Sequence, residues 1–209
     1  MSEAARSAFN PLKPHKEHYG VLKNYIDGEW VESTTDRLLD ITNPATDAVI
    51  GQVPLSTKSE MDAAVESAQE AWWDWRSTPP IVRSRYMFKI KELLEKHFED
   101  ISRVATQEHG KTIDEARGET RRAIENIETA AGIPSLMMGY NLEDGAAKNI
   151  DESVIRQPMG VFGHVAPFNF PGMVPYWFWP YALATGNTFV LKPSEQTPIT
   201  LQRTFEVLE

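Results

Sequence analysis

Val161-Phe162-Gly163-His164-Val165-Ala166 and Thr188-Phe189-Val190-Leu191 lie within a stretch, residues 157–191, that contains no Lys, Arg, Asp or Glu. A long uncharged run is the usual mark of a membrane-spanning helix. Here Pro158, Pro167, Pro171, Pro175 and Pro180 interrupt it, together with Gly160, Gly163, Gly172, Gly186, Asn169 and Asn187. No helix of membrane length fits between such breakers. The two quoted runs read instead as short strands, apolar throughout and rich in β-branched and aromatic residues. Residues 172–185 between them have the length of a helix, with prolines near its start and middle. Two such strands joined by a helical crossover predict a parallel βαβ unit covered on both faces.

Upstream, the spacing changes. Residues 23–31 read as strand, turn and strand about Asp27-Gly28, a preferred pair for a tight hairpin turn. Residues 38–42 and 50–55 are further strands, separated by the turn Asn43-Pro44, and together these make a small antiparallel layer. Thr57-Lys58-Ser59-Glu60 is a capping-box pattern. It opens a helix whose apolar face is Met61, Ala64, Val65, Ala68, Trp72 and Trp75. Trp72, Trp73 and Trp75 read as a core and edge feature rather than a ligand platform, because they keep helical register. Pro79-Pro80 ends that helix and starts a second, with the stripe Val82, Tyr86, Ile90, Leu93 and Leu94. Residues 98–109 form a third helix stopped by Gly110, and residues 114–131 a fourth with Ile124, Ile127 and Ala131 inward.

Residues 136–148 show no strong period and read as a connection, and residues 153–158 as a strand. Thr197-Pro198 predicts a last helix with Thr197 as its N-cap and Leu201, Phe205 and Leu208 on one face. With no cap or strand after it, the chain is expected to be the front part of something longer.

The chain has 209 residues, 41% of them hydrophobic, with six tryptophans and a net charge of −9. That content supports a real core and argues against disorder. The acidic balance speaks against a nucleic-acid binder. With no cysteine, disulfides, zinc–thiolate sites and thiol catalysis within these residues are excluded, and no metal site is expected. Residues 1–19 are polar and mixed in charge, without the apolar centre of a signal peptide, so a flexible arm on a cytoplasmic protein is expected.

Two segments carry candidate chemistry. Ala166-Pro167-Phe168-Asn169-Phe170-Pro171 follows the first buried strand, and ligands of open α/β sheets bind beyond the carboxyl ends of strands. The Asn169 amide there can donate to a developing oxyanion; equally, it can be a turn asparagine bonded to its own backbone. Lys192-Pro193-Ser194-Glu195 follows the second strand. An acid there can accept hydrogen bonds from ribose hydroxyls, or the two charges can be a solvated pair. No G-x-G-x-x-G fingerprint is present.

Taken together, Ala-Pro-Phe-Asn-Phe-Pro at 166–171 and Ala-Thr-Gly-Asn-Thr-Phe-Val-Leu-Lys-Pro-Ser-Glu at 184–195 closely resemble the aldehyde dehydrogenase superfamily. Segments 23–31, 43–46, Gly110-Lys111-Thr112 and Ser135-Leu136-Met137-Met138-Gly139 match the same family in the same order. Phe168 before Asn169 and the Leu136-Met137-Met138-Gly139 segment look most like its methylmalonate-semialdehyde branch. The resemblance implies a fold: the N-terminal part of a Rossmann-like cofactor domain, with the small antiparallel layer and part of an oligomerisation arm. Its units are a flexible arm (residues 1–20), a helical and strand part (21–138), an arm segment (139–159) and the first βαβ of the NAD-binding domain (160–209).

The resemblance also implies a function, NAD-dependent oxidation of a semialdehyde with transfer of the acyl group to coenzyme A. Asn169 is then the oxyanion donor for the adduct formed by an attacking thiolate. Ala166 and Phe168 line the cofactor channel. Lys192 and Glu195 hold the adenosine ribose, and Glu195 favours NAD over NADP because a 2′-phosphate would meet a like charge. Gln196 joins the cofactor set at a place where this branch tends to carry Arg. Arg122 holds the substrate carboxylate, with Arg121 its rival. The family's nucleophilic cysteine, acidic base and G-x-T-x-x-G loop have no counterpart in these residues, and the expected homo-oligomer would draw a partner strand for residues 153–158 from sequence elsewhere. The alternative is a non-catalytic truncated paralogue that binds a nucleotide or pairs with another subunit; neither nucleic acid nor membrane is an expected partner.

Overall fold

The computed structural model describes residues 14–209. Its strands form four two-stranded sheets around a helical centre. β1 (Asn24–Ile26) and β2 (Glu29–Val31) pair antiparallel, as expected. Asp27 and Gly28 between them both take positive φ, 53° and 75°, which the twist of a tight hairpin demands. β3 (Leu38–Thr42) and β4 (Val49–Pro54) form the second antiparallel pair. Of the flexible arm expected at residues 1–20, residues 1–13 lie outside the described residues. The rest is tied down from Lys16 onward. Tyr19 donates its backbone N–H to Ile50 at 2.7 Å and its hydroxyl to Gln107 at 2.9 Å, and Gln107 donates to the Lys16 carbonyl at 3.0 Å.

Four helices follow: α1 (Lys58–Ser77), α2 (Pro80–Lys96), α3 (Phe98–His109) and α4 (Ile113–Ala131). The capping box at Thr57 and Glu60 is present, and a second one, Thr112 with Glu115, opens α4. Two of the expected stripes are displaced. In α1, Met61 and Val65 are exposed and only Trp72 is buried, because just the second half of the helix meets β8 and the segment before it. In α2 the inward residues are Arg83, Ser84, Met87 and Leu94, while Tyr86 is 54% exposed. Buried Arg83 is the cause: its guanidinium donates to the carbonyls of Ala184 at 3.0 Å and Thr78, which turns Arg83 rather than Val82 inward. The α4 face is as expected, with Ile124 and Ile127 fully buried. Such side chains contribute about 1.5–3 kcal/mol each relative to exposure. They meet Met87, Leu94, Ile101, Tyr176 and Trp179 in the main core. A smaller core joins Leu22, Ile41 and Ile50 of the strand layer to Val104 and Ile199.

The expected connection at residues 136–148 contains structure after all: short α5 (Ile133–Leu136) and strand β5 (Tyr140–Leu142). β5 pairs antiparallel with β6 (Glu152–Val154), so the strand expected at residues 153–158 begins one residue earlier, ends at Val154 and finds its partner within the chain. The hairpin is exposed along both strands. At its C-terminal root the Asn187 side chain accepts the N–H groups of Met159 at 2.7 Å and Gly160 at 3.0 Å.

β7 (Val161–Val165) and β8 (Thr188–Lys192) are parallel neighbours, with Val161 opposite Thr188 and Val165 opposite Lys192. The crossover is a 3-10 turn (Val174–Trp177) followed by α6 (Trp179–Ala184), shorter than the expected helix over 172–185. Pro175 and Pro180 each sit in a first turn, where proline is tolerated, so each restarts a helix instead of continuing one. β8 is partly covered by α1, whose Ala68 carbonyl accepts the Thr188 hydroxyl at 2.7 Å. β7 is not covered on both faces as expected: Val165 is 74% exposed, while His164 meets the Phe178 ring at 4.8 Å. α7 (Ile199–Leu208) closes the described chain, with Leu201 buried. Thr197 is not its cap; its hydroxyl donates to the Phe168 carbonyl at 3.3 Å, and Glu108 takes the capping role.

Candidate functional site

The two parallel strands end side by side, and the candidate residues leave from that edge. The Ala166 N–H donates to the Lys192 carbonyl at 2.9 Å, so the segment 166–173 and the segment 193–198 start in contact. The Thr197 hydroxyl bridges them again at Phe168. Ala166 is buried, whereas Phe168, Asn169 and Phe170 face outward. Asn169 does not behave as a turn asparagine: among the described residues its side-chain amide bonds no backbone group, and its main-chain carbonyl accepts from Lys111 at 3.2 Å.

On the second segment, Lys192 and Glu195 are paired at 3.0 Å, each about two-fifths exposed. The Glu195 carboxyl is held below its ordinary range by its own backbone N–H and by the Lys192 ammonium. It is therefore an ionised acceptor with a solvent-facing side, the chemistry a vicinal diol requires. Ser194 is buried and its hydroxyl accepts the N–H of Gln196 at 3.2 Å; Gln196 itself is exposed.

Arg121 and Arg122 point apart. Arg121 lies 3.6 Å from Glu95 and 5.1 Å from the Phe98 ring, on the outer side of α4. Arg122 lines an open groove of about 410 Å³ with Glu125, Asn126, Thr129, Met173 and Trp177, and it pairs with Glu125 at 3.1 Å. Asn126 is fixed there from both ends, accepting from the Tyr181 hydroxyl at 2.9 Å and donating to the Arg122 carbonyl at 2.8 Å. The groove is reached from the Asn169 segment through Met173; Asn169 is not one of its walls.

Two charged residues at this edge had no assigned role in the sequence reading. Lys111 and Glu119 form a buried ion pair, their side chains 7% and 1% exposed. Glu119 also accepts the Gly172 N–H at 2.6 Å. Burial pushes its carboxyl up, against the opposing pull of Lys111 and the N–H groups of Gly172 and Met173. The signal was a glutamate at helical spacing from Ala116 and Ala123, inside the buried stripe of α4.

The parallel strand pair thus carries an exposed amide on the segment after β7 and a Lys–Glu pair on the segment after β8, at the edge where open α/β sheets take their ligands. Residues 30–209 match the aldehyde dehydrogenase family, and the chain belongs to it. It is 50% identical over 188 residues to malonate-semialdehyde dehydrogenase 2 of Oceanobacillus iheyensis, covering 90% of this chain and 38% of that protein. The crystal structure of methylmalonate-semialdehyde dehydrogenase from Oceanimonas doudoroffii superposes with a TM-score of 0.87 at 40% identity, over 91% of this chain and 38% of that one. Betaine aldehyde dehydrogenase from Staphylococcus aureus, solved in complex with NAD+, does so with a TM-score of 0.84 at 31% identity, over 89% and 37%. The chain thus spans a little over a third of the length of these relatives. No helix among the described residues is long and apolar enough to cross a membrane.

Proposed function

We propose that this chain supplies the cofactor edge and the oxyanion donor of an NAD-dependent dehydrogenase that converts a carboxylate-bearing semialdehyde to its acyl-coenzyme A. The observation that carries the reading is the shared edge of β7 and β8, where the Asn169 segment and the Lys192–Glu195 pair leave from neighbouring strand ends. NAD fits this donor set. Glu195 would accept from the adenosine ribose hydroxyls and repel a 2′-phosphate, Lys192 would donate beside it, and Ala166, Phe168 and Gln196 would border the same edge. When bound, NAD supplies the hydride acceptor. The Asn169 amide would donate to the aldehyde oxygen as negative charge develops on it, and Arg122 would hold the distal carboxylate in the groove beside Met173 and Trp177. These 209 residues contain no cysteine, so in this reading they do not themselves supply a thiolate nucleophile.

The malonate- and methylmalonate-semialdehyde names of the relatives support that substrate class. In the same reading the exposed β5–β6 hairpin, with Tyr140, Leu142 and Val154 on its surface, is the arm through which subunits associate. A non-catalytic pairing module, the second reading, draws on that same hairpin. Titration of the purified chain with NAD and NADP separates them. Preference for NAD that falls in Glu195→Gln is expected; equal weak binding of both, unchanged in Glu195→Gln, would leave only the pairing module. In the enzyme carrying this chain, Asn169→Ala is expected to lower kcat about 10²–10³-fold.

A further inference from the structure

We propose that Lys111 and Glu119 are a positioning pair that fixes the backbone from which the Asn169 side-chain amide projects, an inference that rests on Asn169 being the oxyanion donor. Beyond their own ion pair, the hydrogen bonds of Lys111 and Glu119 go to one short segment. The Lys111 ammonium, with three donors, reaches Glu119, the Asn169 carbonyl at 3.2 Å and the face of the Phe170 ring at 4.6 Å. Glu119 receives Lys111 on one oxygen and the Gly172 N–H on the other.

The segment is therefore held at both ends, at the Asn169 carbonyl and at the Gly172 N–H. Only Phe170 and Pro171 lie between. Proline fixes its own φ and confines the residue before it to extended backbone, so little freedom is left between the two anchors. With its peptide plane fixed, Asn169 projects its amide from a fixed Cα.

The anchors themselves are rigid. Glu119 stands on α4 between buried Ala116 and Ala123. Lys111 follows Gly110, which holds a left-handed φ of +83° against Pro44. A buried ion pair is a poor source of stability, because desolvation offsets its attraction. Its physical use here is geometric.

Exchanging the two charges tests this. Lys111→Glu with Glu119→Lys keeps an ion pair, yet a carboxylate cannot donate to the Asn169 carbonyl and an ammonium cannot accept from the Gly172 N–H. In the isotope-labelled 209-residue chain, the exchange is expected to shift the Asn169 side-chain amide resonances and to speed Gly172 hydrogen exchange at least tenfold, as Lys111→Met does. Lys111→Arg is expected to preserve both. If the exchanged chain does not fold, Glu119→Leu, which is of similar size and has no acceptor for the Gly172 N–H, carries the same comparison. Asn169 resonances unmoved and Gly172 still protected in either variant would overturn the proposal and leave the pair a mere balance of charge. In the enzyme carrying this chain, Lys111→Met is expected to lower kcat at least tenfold with KM for NAD unchanged. Failure of the dehydrogenase reading shows elsewhere, as an Asn169→Ala enzyme with unchanged turnover, and leaves the resonance and exchange results standing.

Discussion

The carboxylate of Glu108, at the end of α3, accepts the backbone N–H of Ile199 at 2.7 Å, ninety-one residues further along the chain. It also accepts the N–H of Thr200 at 2.9 Å and that residue's hydroxyl, so one buried side chain satisfies the first turn of α7. Helix N-termini leave such donors without partners, and a capping acceptor contributes about 0.5–2 kcal/mol. Glu108→Ala is expected to cost about 2 kcal/mol, read as a lower urea midpoint with an unchanged slope.

The same residue predicts a pH response. Burial pushes the Glu108 carboxyl up to about 7, against the pull of its three donors. A raised carboxyl favours the protonated form in the folded state. Its contribution is thus complete below the unfolded value near 4.5 and is lost as pH rises through about 7. Glu108→Gln, which mimics the protonated acid, is expected to remove this component. The stability of the wild type relative to Glu108→Gln then grows between pH 8 and pH 5, as urea unfolding at the two pH values would measure.

Glu60 runs the other way. Its slight burial raises its pKa, but the N–H groups of Thr57 and Thr34 and the hydroxyls of Ser33 and Thr57 outweigh that and hold it at about 2. Its contribution is present above about 4.5 and is lost as pH falls through about 2. Glu60→Gln is expected to cost about 1 kcal/mol at pH 7 by urea unfolding, with the gap to wild type closing near pH 2.

Two glycines predict opposite signs. A Cβ on Gly110 would stand 2.6 Å from Pro44 Cγ on a backbone with φ +83°. Gly110→Ala is expected to cost about 2 kcal/mol, a fall in Tm of roughly 4–8 °C. Gly118 lies inside α4 with nothing within 4 Å of its would-be Cβ. Gly118→Ala is expected to raise stability by about 0.5–1 kcal/mol in the same thermal melt.

Arg121 and Arg122 provide a specificity test. Arg122→Leu in the enzyme carrying this chain is expected to lower kcat/KM for a carboxylate-bearing semialdehyde about 10–100-fold, with little change for an uncharged aldehyde. Arg121→Leu is expected to leave both near wild type, because its guanidinium faces Glu95. Equal effects of the two variants would remove Arg122 from the carboxylate's place.

Local signals were the legible ones. The Asp27-Gly28 hairpin, the capping box at Thr57 and the stop at Gly110 each depend on a few adjacent residues, and each stands where its pattern put it. What was misread depends on partners distant in sequence. Thr197 looked like a cap because threonine before proline is a good local signal, yet Glu108 reaches that helix from α3. The α2 stripe was shifted because Arg83, polar by composition, is buried by carbonyls that only the fold brings to it. β5 went unseen because its residues gain a ladder only when β6 arrives. At the candidate site, the segments bearing Asn169 and Lys192–Glu195 were expected at strand ends, and the structure brings those ends side by side. Lys111 and Glu119 were not read as part of it, although a glutamate inside an apolar stripe marks a buried partner.

The Asn187 side chain, which accepts Met159 and Gly160 at the root of the β5–β6 hairpin, also donates to the Thr185 hydroxyl at 2.9 Å. Mechanically, that makes it a rivet. The chain leaving β6 is bonded through Asn187 to the start of β8 before it enters β7, so the hairpin's exit and both parallel strands share one anchor.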